Sequence, residues 1–439
     1  MAVNPLIHLT KNIPDIAENL ADTSSVPAGY GVSVIGCGII GAMIAYELAK
    51  SGVSVTVWEA QPEPCTGATG AALGLLMGVC SSKAKGQLVD LRLASLARYD
   101  SLIAELEALT GKEILYNRAG ILCVYTAGDQ AKSESLAAIR QEQGFTLEVQ
   151  TATQLKAMAG QWQGAYGLYS PADRAVHPRH LVQALVAGAQ HYGAKFHWGT
   201  PISDLQEILA NNLAASNFHT AHFHTAHFHA AHFHAAQKVI LTAGMGCNEL
   251  LANFLAHRQG AITDLLSNLP LENSLQKNLL KPVAGHGLRI KLPNLEALPN
   301  DASPHQVIHL VTADGADFNL VPLRHPEFGA DEYWLGATIE FDVDPNVSDF
   351  KLSSNSPNPD RWHWLLTQAQ QFSPWLAGAE ILESWIGYRP RPAQARSPIL
   401  GVLPEEPRIL LAMGHYRNGL LMAPITAKLI GELLLSDCN

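Results

Sequence analysis

Three glycines and one acid give this chain its first chemistry. Gly36, Gly38 and Gly41 stand in G-x-G-x-x-G register within GVSVIGCGIIGAMIAYELAKSGVSVTVWEA (31–60), and Glu59 follows Gly41 by 18 residues. Gly36 permits a tight turn, Gly38 with Ile39 lets the backbone approach a pyrophosphate, and Gly41 lets the following helix pack closely. The free N–H groups of that helix start would hold the anion. A carboxylate at Glu59, beside Ala60, would reach ribose hydroxyls and disfavour a 2′-phosphate. Two late arginines offer a second chemistry: Arg389 in WIGYRPRPAQARSPILG (385–401) and Arg417 in GHYRNGLLMAPITAKLIGELL (414–434). Each carries a planar, permanently charged fork able to hold a carboxylate through two hydrogen bonds.

A third group is conspicuous. FHTAHFHTAHFHAAHFHAAQ (218–237) is four near-copies of a five-residue unit and holds 7 of the chain's 19 histidines. A period of five matches neither helix nor strand, which reads as an exposed, extended or hairpin-like insert. Pairs such as His222 with His224 suit zinc, copper or nickel, but Phe recurs and neither Cys nor acid accompanies them. The reading is a repeat expanded in a tolerant loop, with no metal site assigned.

These residues must be positioned by suitable elements. VSVIG and VSVTVWE read as buried parallel strands flanking a helix, AMIAYELAKSG. LLKPVAGHGLRIKL (279–292), HQVIHLVTA (305–313), DFNLVPLR (317–324) and EYWLGATIEF (332–341) read as an antiparallel sheet split by Pro, Gly and Asp turns. LVDLRLASLARYDSLIAELEALTG (88–111) is a long amphipathic helix, and PNLEALPNDASP (293–304) and KLSSNSPNPD (351–360) are loop-like. At 439 residues and 47% hydrophobic content the chain suits two domains. A net charge of −10 and a pI near 6.0 argue against a nucleic-acid partner. The six cysteines show no C-x-x-C spacing, which fits a reducing cytoplasm, and no apolar run is long enough to span a membrane. Residues 1–29 read as an N-terminal extension without the basic and apolar regions of a signal peptide.

In order over most of 30–435, the sequence resembles the FAD-dependent D-amino acid oxidase superfamily, within it the glycine oxidase and sarcosine oxidase group. PCTGATGAALGLLMG (64–78) resembles that family's small-residue segment beside the flavin, with Thr69 and Gly70 as contacts. YSPADRAVHPRHLVQALVAGAQHYGAKFHWGTPI (169–202) resembles its helix and adenine-contact strand, ending at Ile202, and KVILTAGMGCNELL (238–251) its A-x-G turn, Ala243 and Gly244. WIGYRPRP resembles the W-x-G-x-R-P segment, and GHYRNGLL is very similar to the closing glycine oxidase motif.

The resemblance implies a Rossmann-like FAD-binding domain with a parallel sheet, plus an antiparallel-sheet substrate domain, so the fold class is α/β, α+β overall. It implies non-covalent FAD, since no cysteine stands in 385–421 for a covalent link. Arg389 and Arg417 become the catalytic and substrate-binding residues. Gly414, His415, Arg417, Asn418, Gly419 and Leu420 become cofactor contacts, with His415 packing rather than acting as a base. His177 and His180 read as residues starting a helix. The implied reaction is oxidation of the Cα–N bond of a small amino acid or amine by hydride transfer to flavin N5, giving an imine that water hydrolyses. Oxygen is the expected acceptor, and the glycine oxidase branch implies a place in thiamine biosynthesis. No general base is identifiable.

The family's usual tyrosine before V-P-R is Asn319 here, and its arginine is Leu323. Asn319 remains a substrate-binding candidate with shorter reach, and the pocket reads as wider than glycine needs. Two alternatives stay open: a D-amino acid dehydrogenase passing electrons to a quinone or carrier, and a metal-handling non-enzyme built around the histidine tract. Assembly into a homo-oligomer is compatible with either enzyme. The expected division is an FAD domain from 30–87, 165–250 and 380–439, with a substrate domain from 88–164 and 251–379.

Overall fold

The computed structural model describes residues 31–159, 164–210, 238–257, 279–293, 305–343, 358–373, 376–393, 398–404 and 406–436. The histidine tract 218–237, the extension 1–29 and most of both loop-like stretches lie outside the described residues.

Short β-branched runs make the first sheet. β1 (Gly31–Ile35), α1 (Ile39–Lys50) and β2 (Ser54–Trp58) form a strand–helix–strand unit in which both strands run parallel. The chain then makes β3 (Leu75–Leu76), the long α2 (Gln87–Thr110), β4 (Tyr116–Asn117), β5 (Ile121–Tyr125), α3 (Gln130–Glu142), β6 (Glu148–Thr151), α4 (Ala152–Ala159), β7 (Tyr166–Ser170) and β8 (Arg174–Val176). It returns through α5 (Pro178–His191), β9 (Lys195–His197), α6 (Leu205–Ala210), β10 (Lys238–Leu241) and α7 (Cys247–His257). β11 (Leu280–Lys291), β12 (Val307–Val311), β13 (Asp317–Pro322), β14 (Glu332–Gly336), α8 (Pro359–Phe372) and β15 (Glu380–Pro392) follow. β16 (Ile399–Leu403), β17 (Glu406–Met413) and α9 (Gly419–Ser436) close the chain.

The six-stranded sheet has the order β16-β17-β10-β1-β2-β9, parallel except for the edge pair β16 and β17. One face is covered by α1, α2, α5 and α9, whose apolar residues share a core with Val34, Val57 and Ile240. The other is closed by α6 and α7 over Ile35, Trp58 and Leu241. The central strands β1 and β10 are buried almost throughout, as their mostly apolar sequences allow.

The eight-stranded sheet has the order β15-β11-β14-β13-β12-β5-β7-β6, antiparallel except for β5 beside β12. Alternation sorts its residues: Ile308, Leu310, Phe318 and Leu320 face a core under α8, while His309, Val311, Asp317 and Asn319 face a cavity. A small sheet of β3, β8 and β4 links the two layers.

The expected boundaries and the sheets differ in three places. α2, expected with the substrate domain, packs on α1, α5 and α9 because Val89, Leu93, Leu96 and Leu106 need an apolar partner there. β7 and β15, expected with the nucleotide-binding segments, are hydrogen-bonded strands of the eight-stranded sheet.

Candidate active site

Both sheets contribute to one cavity of about 1530 Å³, above the roughly 300–1,000 Å³ of an ordinary small-molecule pocket. It opens at the β1–α1 turn. Gly36 there adopts φ +99, and a Cβ on Gly41 would lie 2.0 Å from the Gly36 carbonyl oxygen, so the helix start can sit against the turn only without side chains. α1 has Gly38 as its N-cap with no side-chain cap, which leaves N–H groups of its first turn for an anion. Thr69 takes one of them, accepting from Ile39 N at 3.1 Å.

Glu59 directly follows β2, its carboxylate held by two backbone donors, Cys37 N at 2.6 Å and Gln61 N at 2.9 Å. Glu59 and Ala60 both line the cavity. β9 stops at His197, but the chain keeps pairing: Thr200 N donates to Glu59 O at 2.8 Å, and Ile202 reaches the cavity wall five residues past the strand end. Thr242 ties the β10 end back to the glycine turn, donating to the Ile35 and Gly36 carbonyls, which sets Ala243 and Gly244 on the wall. Gly41 and Gly70 do not line the cavity. Gly41 stands behind the wall as a packing glycine, and Gly70 closes a turn on Gly67 O.

The closing segment supplies Gly414, His415, Arg417, Asn418, Gly419 and Leu420 to the wall. Gly414 and Tyr416 both take positive φ, and α9 begins directly after, so its N-terminus faces the cavity. His415 is buried, its Nε2 is 2.9 Å from Thr426 Oγ1, and burial pushes its pKa down to about 3. It is a neutral packing residue. Burial also pushes the Cys65 thiol up to about 12 and Cys37 well above the usual range. Cys37, Cys65, Cys80, Cys123 and Cys247 are buried free thiols, and Cys438 lies outside the described residues.

The roof brings the arginines to the same cavity but in different states. Arg389 projects from β15, and its Nη1 donates to Ala284 O at 3.0 Å and Thr338 O at 3.2 Å. Burial, then neighbouring Arg417, lowers its pKa, so a second cation is disfavoured there and an anion favoured. Among the described residues no carboxylate pairs with it. Arg417 has a partner already: its two Nη atoms meet both oxygens of Asp317, at 3.1 and 2.9 Å. The expected substrate contact is in this structure an ion pair joining the closing loop to β13.

Asn319, the other substrate candidate, is also engaged. Its Nδ2 donates to Gly336 O at 3.1 Å, and its Oδ1 is 2.8 Å from His309 Nδ1. Asp317 and His309 were not singled out from the sequence. The signal existed, because the hairpin turn around Asp314 and Gly315 fixes Val311 opposite Asp317 and His309 opposite Asn319. His177 caps α5, accepting from His180 N at 3.3 Å, as expected of a helix start. His180, His325 and Glu327 have ligand atoms within 4.8 Å of one another. Leu115 N donates to His180 Nδ1 at 3.3 Å, so its Nε2 carries the proton given to Glu327 at 2.8 Å, and no lone pair is offered to a cation.

The cavity thus runs from an anion-binding turn and a ribose-type carboxylate to an antiparallel roof carrying an uncommitted guanidinium. A dinucleotide lying along it would present its far end to the roof, which is the plan of a flavin-dependent redox enzyme. Comparison with known proteins gives the same answer: the FAD dependent oxidoreductase profile matches residues 32–433, and the chain belongs to that family. It is an enzyme with FAD as cofactor. It is 30% identical over 409 residues to the bifunctional protein ThiO/ThiG of Synechocystis sp., covering 92% of this chain and 52% of that protein, so it spans about half that relative's length. It is 25% identical over 417 residues to glycine oxidase of Geobacillus kaustophilus, covering 92% of this chain and 93% of that one. The crystal structure of glycine oxidase from Geobacillus kaustophilus shares the fold with a TM-score of 0.70 at 24% identity, over 93% of this chain and 95% of that one. Among the described residues no helix is long and apolar enough to cross a membrane.

Proposed function

We propose that the chain oxidises the Cα–N bond of a small amino acid or secondary amine, with oxygen as the electron acceptor, in the manner its glycine oxidase relatives are named for. The observation that carries this is Arg389: a guanidinium under the roof, pinned at Nη1 by two carbonyls, whose other donors meet no carboxylate among the described residues. A substrate carboxylate there gains a charge-assisted pair of hydrogen bonds and is held with Cα and nitrogen toward the cavity floor. FAD, when bound, supplies the hydride acceptor. Gly36, Gly38, Glu59 and the α9 N-terminus are the residues that would hold it. The chain's own contribution is orientation and exclusion of water by the eight-stranded roof.

Arg417 is assigned to closing the site rather than to the carboxylate, since Asp317 already neutralises it. We assign the parallel sheet with its helices to cofactor binding and the antiparallel sheet to the substrate. The buried free thiols suit a cytoplasmic location. The test is anaerobic mixing of the flavin-loaded protein with glycine, sarcosine, D-amino acids and L-proline. Bleaching by at least one, reversed by oxygen with release of peroxide, is expected. No bleaching by any would overturn the substrate class, and bleaching that oxygen fails to reverse would replace the oxidase with a dehydrogenase.

A further inference from the structure

His309 sits in the roof at the centre of a row crossing three strands. It lies opposite Asn319 on β13, and Asn319 lies opposite Gly336 on β14. The hydrogen bonds along this row fix which imidazole nitrogen bears the proton. Gly336 O can only accept, so Asn319 must turn its Nδ2 toward it, at 3.1 Å. Asn319 Oδ1 then faces His309 and accepts from Nδ1–H at 2.8 Å. A neutral imidazole protonated at Nδ1 has a lone pair at Nε2. That nitrogen has no hydrogen-bond partner among the described residues and belongs to a buried side chain that lines the cavity. The carboxylate-binding donors of Arg389 open on the same cavity.

We propose that His309 Nε2 is the acceptor for the substrate's amine, taking one proton from the ammonium form while Arg389 holds the carboxylate. This rests on the amino acid reading above. In the step, an N–H bond of the ammonium breaks and its electron pair stays on nitrogen. The proton forms Nε2–H, leaving a neutral amine beside an imidazolium that keeps the proton until the amine has been oxidised and then passes it to cavity water. No electron is transferred. The charged and titratable neighbours are Asp317 beside Asn319 on β13, Cys123 and Tyr125 on β5, and Arg417 from the closing loop. Burial, and secondarily Arg417, lower the His309 pKa, while Asp317 and the Asn319 hydrogen bond oppose them. The imidazole is therefore unprotonated at neutral pH, with the Nε2 lone pair unoccupied by a proton.

Two measurements test this in the flavin-loaded protein. The first is equilibrium binding, read from flavin absorbance, of α-aminoisobutyrate, which has no Cα hydrogen, against isobutyrate, which has no amine. The wild type should prefer the amino acid about tenfold, the worth of a hydrogen bond to a charged group. In His309→Phe the ratio should fall to near one, and in His309→Gln, whose amide oxygen can still accept but cannot take the proton, it should fall less. The second is the pH dependence of anaerobic flavin reduction. With His309 as acceptor, reduction at subsaturating amine stays nearly flat from neutral pH to the amine's own pKa; in His309→Gln, which can still donate to Asn319, it rises about tenfold per pH unit over that range. A wild-type rate that already climbs so steeply overturns the proposal, even if neither variant retains flavin. So does an unchanged binding ratio in variants with full flavin content. If no amine bleaches the wild type and neither acid binds, the amino acid reading has failed instead.

Discussion

A guanidinium beneath a sheet has lost most of its water, and two carbonyls on one nitrogen replace only part of it. On the proposed function the rest comes from a substrate carboxylate, which makes Arg389 the residue most sensitive to substitution. Arg389→Lys should weaken a carboxylate ligand by about tenfold, because a point charge cannot make the paired contact, and Arg389→Ala by about a hundredfold or more. Titration of flavin absorbance with a non-oxidisable acid would measure it; equal affinities in all three proteins would remove Arg389 from the site. At this scale, residue type and neighbouring motif singled out Gly36, Glu59, Thr69 and Arg389, which the fold brings to one cavity. Partners were not legible. Arg417 met Asp317, 100 residues away, and His309 met Asn319, through strand pairings that no local pattern states.

Among the elements, the wall-forming segment 77–84 depends on an unusual support. Arg140 of α3 is fully buried and gives its donors to the carbonyls of Val79, Ser81, Lys83 and Ala84. On the other side Asp173 accepts from Gly78, Val79 and Cys80 N. Arg140→Ala leaves four carbonyls without that donor, each worth about 1–3 kcal/mol if it stays dry. Relaxation and water will recover some of this. A fall of on the order of 10 °C in the thermal midpoint is expected, with protease cleavage near 79–86, and Arg140→Lys should be nearly as damaging. An unchanged midpoint would mean the segment holds itself. Sequence patterning gave the strands near 280–291, 307–311, 317–322 and 332–336 and helix α2 to within a few residues. It does not say which layer α2, β7 and β15 join, because alternation and periodicity say which face is apolar but not what covers it.

For the molecule as a whole, two buried histidines link stability to acid. Burial lowers both His177 and His415 to about 3, so each is neutral in the folded protein. The unfolded chain protonates them near pH 6.5 and so binds more protons between about 6.5 and 3. Their neutral burial costs nothing above 6.5, and stability falls as pH drops below it, by up to about 1.4 kcal/mol per pH unit for each histidine. Denaturant midpoints from pH 7.5 to 4.5 should decline, and His415→Gln should flatten the slope. A wild-type slope unaffected by that change would mean His415 ionises inside the fold.

The most direct test of the central claim compares an amino acid with its own amide. Glycine and glycinamide, or whichever pair the screen selects, differ little in size, and only the acid offers Arg389 an anion. The account predicts that the acid reduces the flavin anaerobically at least about a hundredfold more efficiently, and that Arg389→Ala abolishes the difference. Equal reduction by acid and amide in the wild type would contradict it.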